Sequence, residues 1–161
     1  MRSSYLAVEC LSRGSMHVVV AERVVSVETP GEIGYRNVIL RAVAAVCKVA
    51  TAAVRGRCAP ADGFSEQVLS AVGEAVNNIT LHGYRDRPSD IIRARMRIDG
   101  GVLRLAIEDY GASFDPLSVR LPDLDALPES GLGIYIIRCL MDEVSYESGR
   151  PNVLSLAKRI C

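Results

Sequence analysis

Residues 91–108, IIRARMRIDGGVLRLAIE, constrain the fold more than any other stretch of this chain. Ile92, Ala94, Met96 and Ile98 alternate with Arg93, Arg95 and Arg97. After Asp99-Gly100-Gly101, Leu103, Leu105 and Ile107 alternate with Arg104 and Ala106. A period of two marks strands with one buried and one polar face, and Asp-Gly-Gly between them is hairpin chemistry. The apolar face of such a ribbon needs a cover. Residues 32–54 and 64–82 carry apolar side chains at helical spacing, with Ser65 as N-cap of the second run, and 131–141 reads as a third helix. The Val-rich residues 17–29 read as one strand, and 144–147 and 153–160 as two more. The order strand, helix, helix, hairpin, loop, helix, hairpin predicts an α+β fold. Its form is a two-layer α/β sandwich, with helices on one face of a mixed, mainly antiparallel sheet.

The chain's 161 residues suffice for one core-forming domain. Nineteen basic residues balance nineteen acidic ones, so composition points to neither nucleic acid nor an anionic membrane surface. No continuous apolar run approaches the roughly 20 residues of a membrane span. Residues 1–16 lack the apolar core of a signal peptide and read as an N-terminal arm before a domain at 17–161; Met16 offers an alternative start. The five cysteines, Cys10, Cys47, Cys58, Cys139 and Cys161, have no metal-type spacing. Cys47 and Cys139 sit in apolar runs as small hydrophobes. The set reads as thiols in a reducing, cytoplasmic setting.

Three stretches carry chemistry. In the helix that contains GEAVNNITLHGY (73–84), Val68, Val72, Ala75, Val76 and Ile79 form the core stripe. Glu74, Asn78 and His82, four residues apart, form a second stripe along its edge. An isolated Glu-x-x-x-Asn is usually a solvated helix face. Zinc is a poor match for Glu and Asn, whereas magnesium takes one or two oxygen ligands plus substrate phosphates. In EDYGASFDP (108–116), Asp109 ends a strand before Gly111; a carboxylate there can accept a hydrogen bond from an exocyclic amine, and the glycine lets a flat ring approach. In SGLGIYIIRCLMDEVSY (130–146), Gly131 and Gly133 open a helix whose N-terminal N–H groups suit phosphate. Residues 109–130 between the second and third stretches form a long loop, and long loops are commonly functional. There is no P-loop.

With these three motifs in this order and spacing, residues 18–158 resemble the GHKL ATPase superfamily and, within it, the anti-sigma-factor serine protein kinases. The resemblance implies a Bergerat-type ATP-binding fold that takes ATP or ADP with Mg²⁺. It implies Glu74 as general base, Asn78 as Mg²⁺ ligand, and His82 near the triphosphate. It also implies Asp109 on the adenine amine, with Gly111, Ser113 and Phe114 beside the adenine, and Gly131, Leu132, Gly133 and Ile134 at the phosphates. Residues 117–130 would be a lid. Three positions depart from the family pattern. Ser113 replaces a second glycine, and the lid offers Arg120 but no Lys. The family's threonine near the adenine is matched by Asn152 or by Ser155. The chain is too short for a histidine-kinase dimerisation helix pair or for the second domain of gyrase-like ATPases. The implied function is a partner-switching kinase that phosphorylates a serine of a small antagonist protein and binds a sigma factor, commonly as a homodimer. The competing readings are a nucleotide-bound regulatory module without kinase activity, an ATP hydrolase, and a switch kinase acting on a scaffold.

Overall fold

A computed structural model describes residues 6–8, 17–21, 24–113 and 132–161. The strands are β1 (Leu6–Val8), β2 (His17–Ala21), β3 (Val24–Pro30), β4 (Ile91–Asp99), β5 (Val102–Asp109), β6 (Glu143–Glu147) and β7 (Asn152–Arg159). The helices are α1 (Arg36–Val54), α2 (Phe64–Asn78) and α3 (Leu132–Leu140). The strands form one sheet in the order β1-β2-β3-β4-β5-β7-β6. Every pairing among the described residues is antiparallel.

The predicted hairpin is β4–β5. Asp99 faces Val102 across a two-residue turn, and Gly100 and Gly101 both have positive φ (57° and 81°), which an L side chain resists and a tight hairpin turn needs. Its inward residues Ile92, Ala94, Met96, Leu103, Leu105 and Ile107 are buried under a helix layer that contributes Ile39, Val43, Val68, Val72, Val76 and Ile137 to the same core. The outward face of the sheet is charged. Arg93 reaches both Glu28 (2.6 Å) and Glu108 (3.2 Å), and Arg95 also binds Glu108. The buried Glu108 thus has two cationic partners, which a buried carboxylate requires.

Three expectations change. The Val-rich run 17–29 is two strands, with β2 turning back onto β3 in a register that pairs Ala21 with Val24. No Gly or Pro marks that reversal, so apolar continuity hid it. The helix expected over 64–82 is α-helical only to Asn78; Ile79–Gly83 is a π-helical turn, in which the Tyr84 N–H reaches back five residues to the Ile79 carbonyl. Finally, Cys58 and Cys161 are joined by a disulfide, while Cys47 and Cys139 are free. In the arm, β1 pairs with β2.

Residues 33–54, a 3₁₀ turn followed by α1, are long and apolar enough by length and composition to cross a bilayer (22 residues, mean hydropathy 1.7). The continuous-run criterion passed over them because Arg36, Arg41 and Lys48 interrupt the run. Six residues of α1, from Ile39 to Val54, lie in the domain core.

Candidate functional site

The site lies where α2, α3 and the adjoining ends of β5 and β7 meet. Asp109 and Asn152 are opposite each other in the β5–β7 register, and both are buried. Asn152 is the hub. Its Nδ2 donates to Asp109 Oδ1 (3.1 Å) and to the Gly111 carbonyl (3.3 Å). Its Oδ1 accepts from Ser113 Oγ (2.7 Å) and from the Gly149 N–H (3.2 Å). Those four bonds use the amide's hydrogen-bonding capacity, so Asn152 serves the site by holding Asp109. Ser155, the alternative match for the family threonine, lies instead against Ala106 and Ser145 farther along the sheet.

Asp109 Oδ1 also accepts from the Gly111 N–H (2.8 Å). Among the described residues no partner is seen for Oδ2, and Asp109 lines a narrow cavity of about 50 Å³ with Asn78, Ile79, Gly83, Ala112 and Ile134. Burial raises the Asp109 carboxyl above the ordinary aspartate value, against the lowering influence of the bonds from Asn152 and Gly111. Replacing Asn152 by Ala is therefore expected to raise that carboxyl further, read by carbon NMR titration of Asp109. It should also cost about 2–4 kcal/mol of stability in a denaturant melt, because it strands buried partners.

Gly111 is required by close approach: a Cβ there would sit 2.8 Å from the Gly83 carbonyl oxygen and 3.0 Å from Asp109 Oδ1. The Gly83 carbonyl accepts from the Ala112 N–H (2.8 Å). Tyr84 fastens the same corner. Its hydroxyl donates to the Ile91 carbonyl (3.0 Å) and accepts from the Tyr110 N–H (3.2 Å). Burial pushes its phenol up to about 12, so it stays protonated.

At the other side of the cavity, α3 begins against the edge of α2. A Cβ on Gly133 would lie 2.7 Å from Glu74 Oε2 and 3.6 Å from Asn78 Oδ1. Glycine there lets the helix N-terminus abut both groups. Asn78 Nδ2 is buried and has no partner among the described residues, so the amide retains capacity for a ligand. Leu132 sits at the first turn of α3, and Ile134 lines the cavity.

Glu74, Asn78, Asp109, Gly111, Gly133, Ile134 and Asn152 are thus brought together, with Leu132 at the opening turn and Ser113 held by Asn152. His82 is half-buried on the π-helical turn and is not among the residues lining the cavity. Phe114, Gly131 and residues 117–130 lie outside the described residues. Tyr84 was not singled out in the sequence; its position directly after the Leu81-His82-Gly83 helix end was the available signal. A larger cavity of about 530 Å³ opens on the outward sheet face between Arg95, Arg97, Arg104 and Glu143, and none of Glu74, Asn78, Asp109, Gly111, Gly133 and Asn152 lines it.

The Asn78 amide, with capacity left unpartnered among the described residues, fits a magnesium site of the kind that uses one or two protein ligands plus substrate phosphates. Among the described residues there is no cluster of three His, Cys, Asp or Glu, the pattern a transition metal favours.

Residues 38–158 match the family model for the histidine kinase-like ATPase domain. The anti-sigma F factor of Geobacillus stearothermophilus is 31% identical over 120 residues, covering 71% of this chain and 82% of that protein. The anti-sigma F factor of Clostridium beijerinckii is 31% identical over 115 residues, 67% of this chain and 78% of the relative. That of Clostridium novyi is 32% identical over 112 residues, 65% and 76%. A buried carboxylate at a strand end, a Glu-x-x-x-Asn helix edge and a glycine-opened helix facing it thus coincide with a match over most of the chain, and the chain belongs to the histidine kinase-like ATPase domain family.

Proposed function

We propose that this protein is an ATP-binding serine protein kinase and anti-sigma factor of a partner-switching system, which phosphorylates a serine of a small antagonist protein. The observation that carries the reading is the cavity with Asp109 on one side and the Glu74–Asn78 edge, abutted by Gly133, on the other. The likeness to proteins named anti-sigma F factor supports the partner class. In this reading residues 17–161 are the ATP-binding domain, 1–16 an arm, and the protein acts in the cytoplasm as a homodimer.

Asp109 Oδ2 accepts from the adenine amine, while Gly111 and Ala112 let the ring lie against backbone. The first turn of α3 offers N–H groups to phosphate oxygens. Glu74 takes the proton of the acceptor serine as its oxygen bonds to the γ-phosphorus and the bond to the departing ADP breaks. When bound through Asn78, Mg²⁺ supplies charge neutralisation on the phosphates.

The test is transfer of labelled phosphate from ATP to a cognate antagonist. Transfer to serine supports the reading. Failure to bind ATP overturns it. One observation favours the second reading, a nucleotide-bound module without transfer: Ser113, where a hinge glycine is expected, is tied to Asn152. Tight ATP binding without transfer would select that reading.

Asn78→Ala is expected to weaken nucleotide binding in Mg²⁺ by about tenfold or more, the loss of one charge-assisted contact. The loss should be smaller in chelator. Calorimetry under both conditions checks this, and equal losses would remove the metal role.

A further inference from the structure

The Cys58–Cys161 bond lies at the end of the sheet away from Asp109. β7 runs from Asn152 to Arg159 and Cys161 follows it, so roughly 23 Å of strand separates the two ends at about 3.3 Å per residue. Both cysteines are exposed. They line one surface cavity of about 520 Å³ together with Arg57 and Arg159. We propose that Cys58 and Cys161 are a reversible, oxidant-responsive thiol pair, a covalent modification site remote from the nucleotide cleft.

Three features carry this. The first is preorganisation without the sulfurs. The Cys58 N–H donates to the Val54 carbonyl (3.3 Å), the Ala61 N–H to the Ile160 carbonyl (2.8 Å), and the Ile160 N–H to the Gly101 carbonyl (2.9 Å). The Ala61–Ile160 bond ties the α1–α2 connection to the end of β7, the Ile160–Gly101 bond ties that end to the β4–β5 turn, and none of the three involves a sulfur. The Cα atoms, 6.2 Å apart, stand within disulfide range. The second is access, since both residues are exposed and border the same surface cavity. The third is charge: Arg57 lines the cavity and makes no ion pair among the described residues, whereas the Arg159 guanidinium is engaged by Asp142 (3.4 Å); a neighbouring cation favours the thiolate, the form that reacts. The contrast is Cys47, a thiol in the core that burial pushes up to about 11, which makes it inert.

The chemistry balances with a peroxide as oxidant. One thiolate attacks peroxide, forming an S–O bond and breaking the O–O bond. The second thiolate then displaces the resulting sulfenic oxygen as water, forming the S–S bond. Two electrons pass from the sulfurs to the peroxide, and two waters result. A dithiol reductant reverses the change by two exchange steps. Closing the bond ties residues 103 apart and restricts the unfolded chain. The consequence is a more heat-resistant domain under oxidation, with the loop into α2 stapled to β7. This inference does not depend on the nucleotide reading.

The experiment uses the full chain. Reduced protein is treated with hydrogen peroxide, then with dithiothreitol, and free thiols are counted at each step by alkylation and peptide mass mapping. Melting is followed in parallel, and a Cys58→Ser/Cys161→Ser variant serves as control. Expected are a 58–161 linked peptide after peroxide, its loss after dithiothreitol in the folded protein, and a melting temperature higher by about 10 °C in the oxidised state. The double variant should show no oxidant-dependent shift. Three outcomes would overturn the proposal: both thiols still alkylatable after peroxide, peroxide linking either cysteine to Cys10 instead, or a 58–161 bond that resists dithiothreitol until the protein is unfolded. Should the variant fail to fold, the mass mapping on the natural chain still decides.

Discussion

Replacing Glu74 by Ala is expected to abolish measurable phosphotransfer while leaving nucleotide bound. Glu74 is half-exposed on the α2 edge, with its carboxylate against the Cα of Gly133 and no role in the buried core. Removing it leaves the Asp109–Asn152 network and the cavity wall as they are. A lost general base costs about 10²- to 10⁴-fold in rate. The assay pairs wild type and variant against the same antagonist, with ATP affinity measured alongside. Transfer at a wild-type rate by the variant would assign the proton to another group. A fall in rate matched by an equal fall in affinity would make Glu74 a binding residue.

Asp109→Asn separates recognition from stability, because the geometry predicts opposite signs for the two. The substituted amide's oxygen can still accept from Asn152 Nδ2 and the Gly111 N–H, as Oδ1 does now. Its nitrogen then takes the place of Oδ2 and presents a donor to the incoming amine, itself a donor. The loss of a charged hydrogen bond, about 1.5–3 kcal/mol, weakens ATP and ADP alike by roughly ten- to more than a hundredfold. Stability moves the other way. Burial holds the folded-state pKa above the unfolded value, so the folded protein binds the proton more tightly. The ionised carboxylate therefore costs stability above the folded pKa, and the cost is relieved as pH falls toward the unfolded value. The ligand-free variant should melt higher than wild type at neutral pH, with the gain shrinking in acid. Unchanged ADP affinity by calorimetry would sink the adenine assignment.

The parts of this architecture that the sequence made legible are those governed by local chemistry. The alternation in β4 and β5, the Gly-Gly turn, and the apolar spacing of α1, α2 and α3 each follow from a period or a backbone requirement carried by adjacent residues. Asp109 and Gly111 were legible because a strand end, a carboxylate and a glycine fall within three positions. What stayed hidden depends on partners far along the chain or on an irregular backbone. The reversal between β2 and β3 has Val on both sides and no turn residue. The π-helical turn at Ile79–Gly83 adds one residue to a helix without changing its composition. Asn152 was legible as a substitute for a threonine, but its bonds to Asp109, Gly111, Ser113 and Gly149 exist only once β7 lies against β5. The Cys58–Cys161 pair is likewise set by tertiary placement, across 103 positions of sequence.

The placement of β7 between β5 and β6 has a consequence for the making of the protein. A ribosome delivers Asp109 43 residues before Asn152, so the strand that completes the cleft follows later. Until then β5 has β4 on one side and an unpaired row of backbone groups on the other, the kind of edge that recruits another chain. Asp109 meanwhile lacks its amide clamp. A nascent or truncated chain without residues 152–159 should therefore be both sticky and unable to grip a nucleotide. ATP would then hold finished copies and ignore partial ones, so its presence during synthesis would favour completed molecules over aggregates.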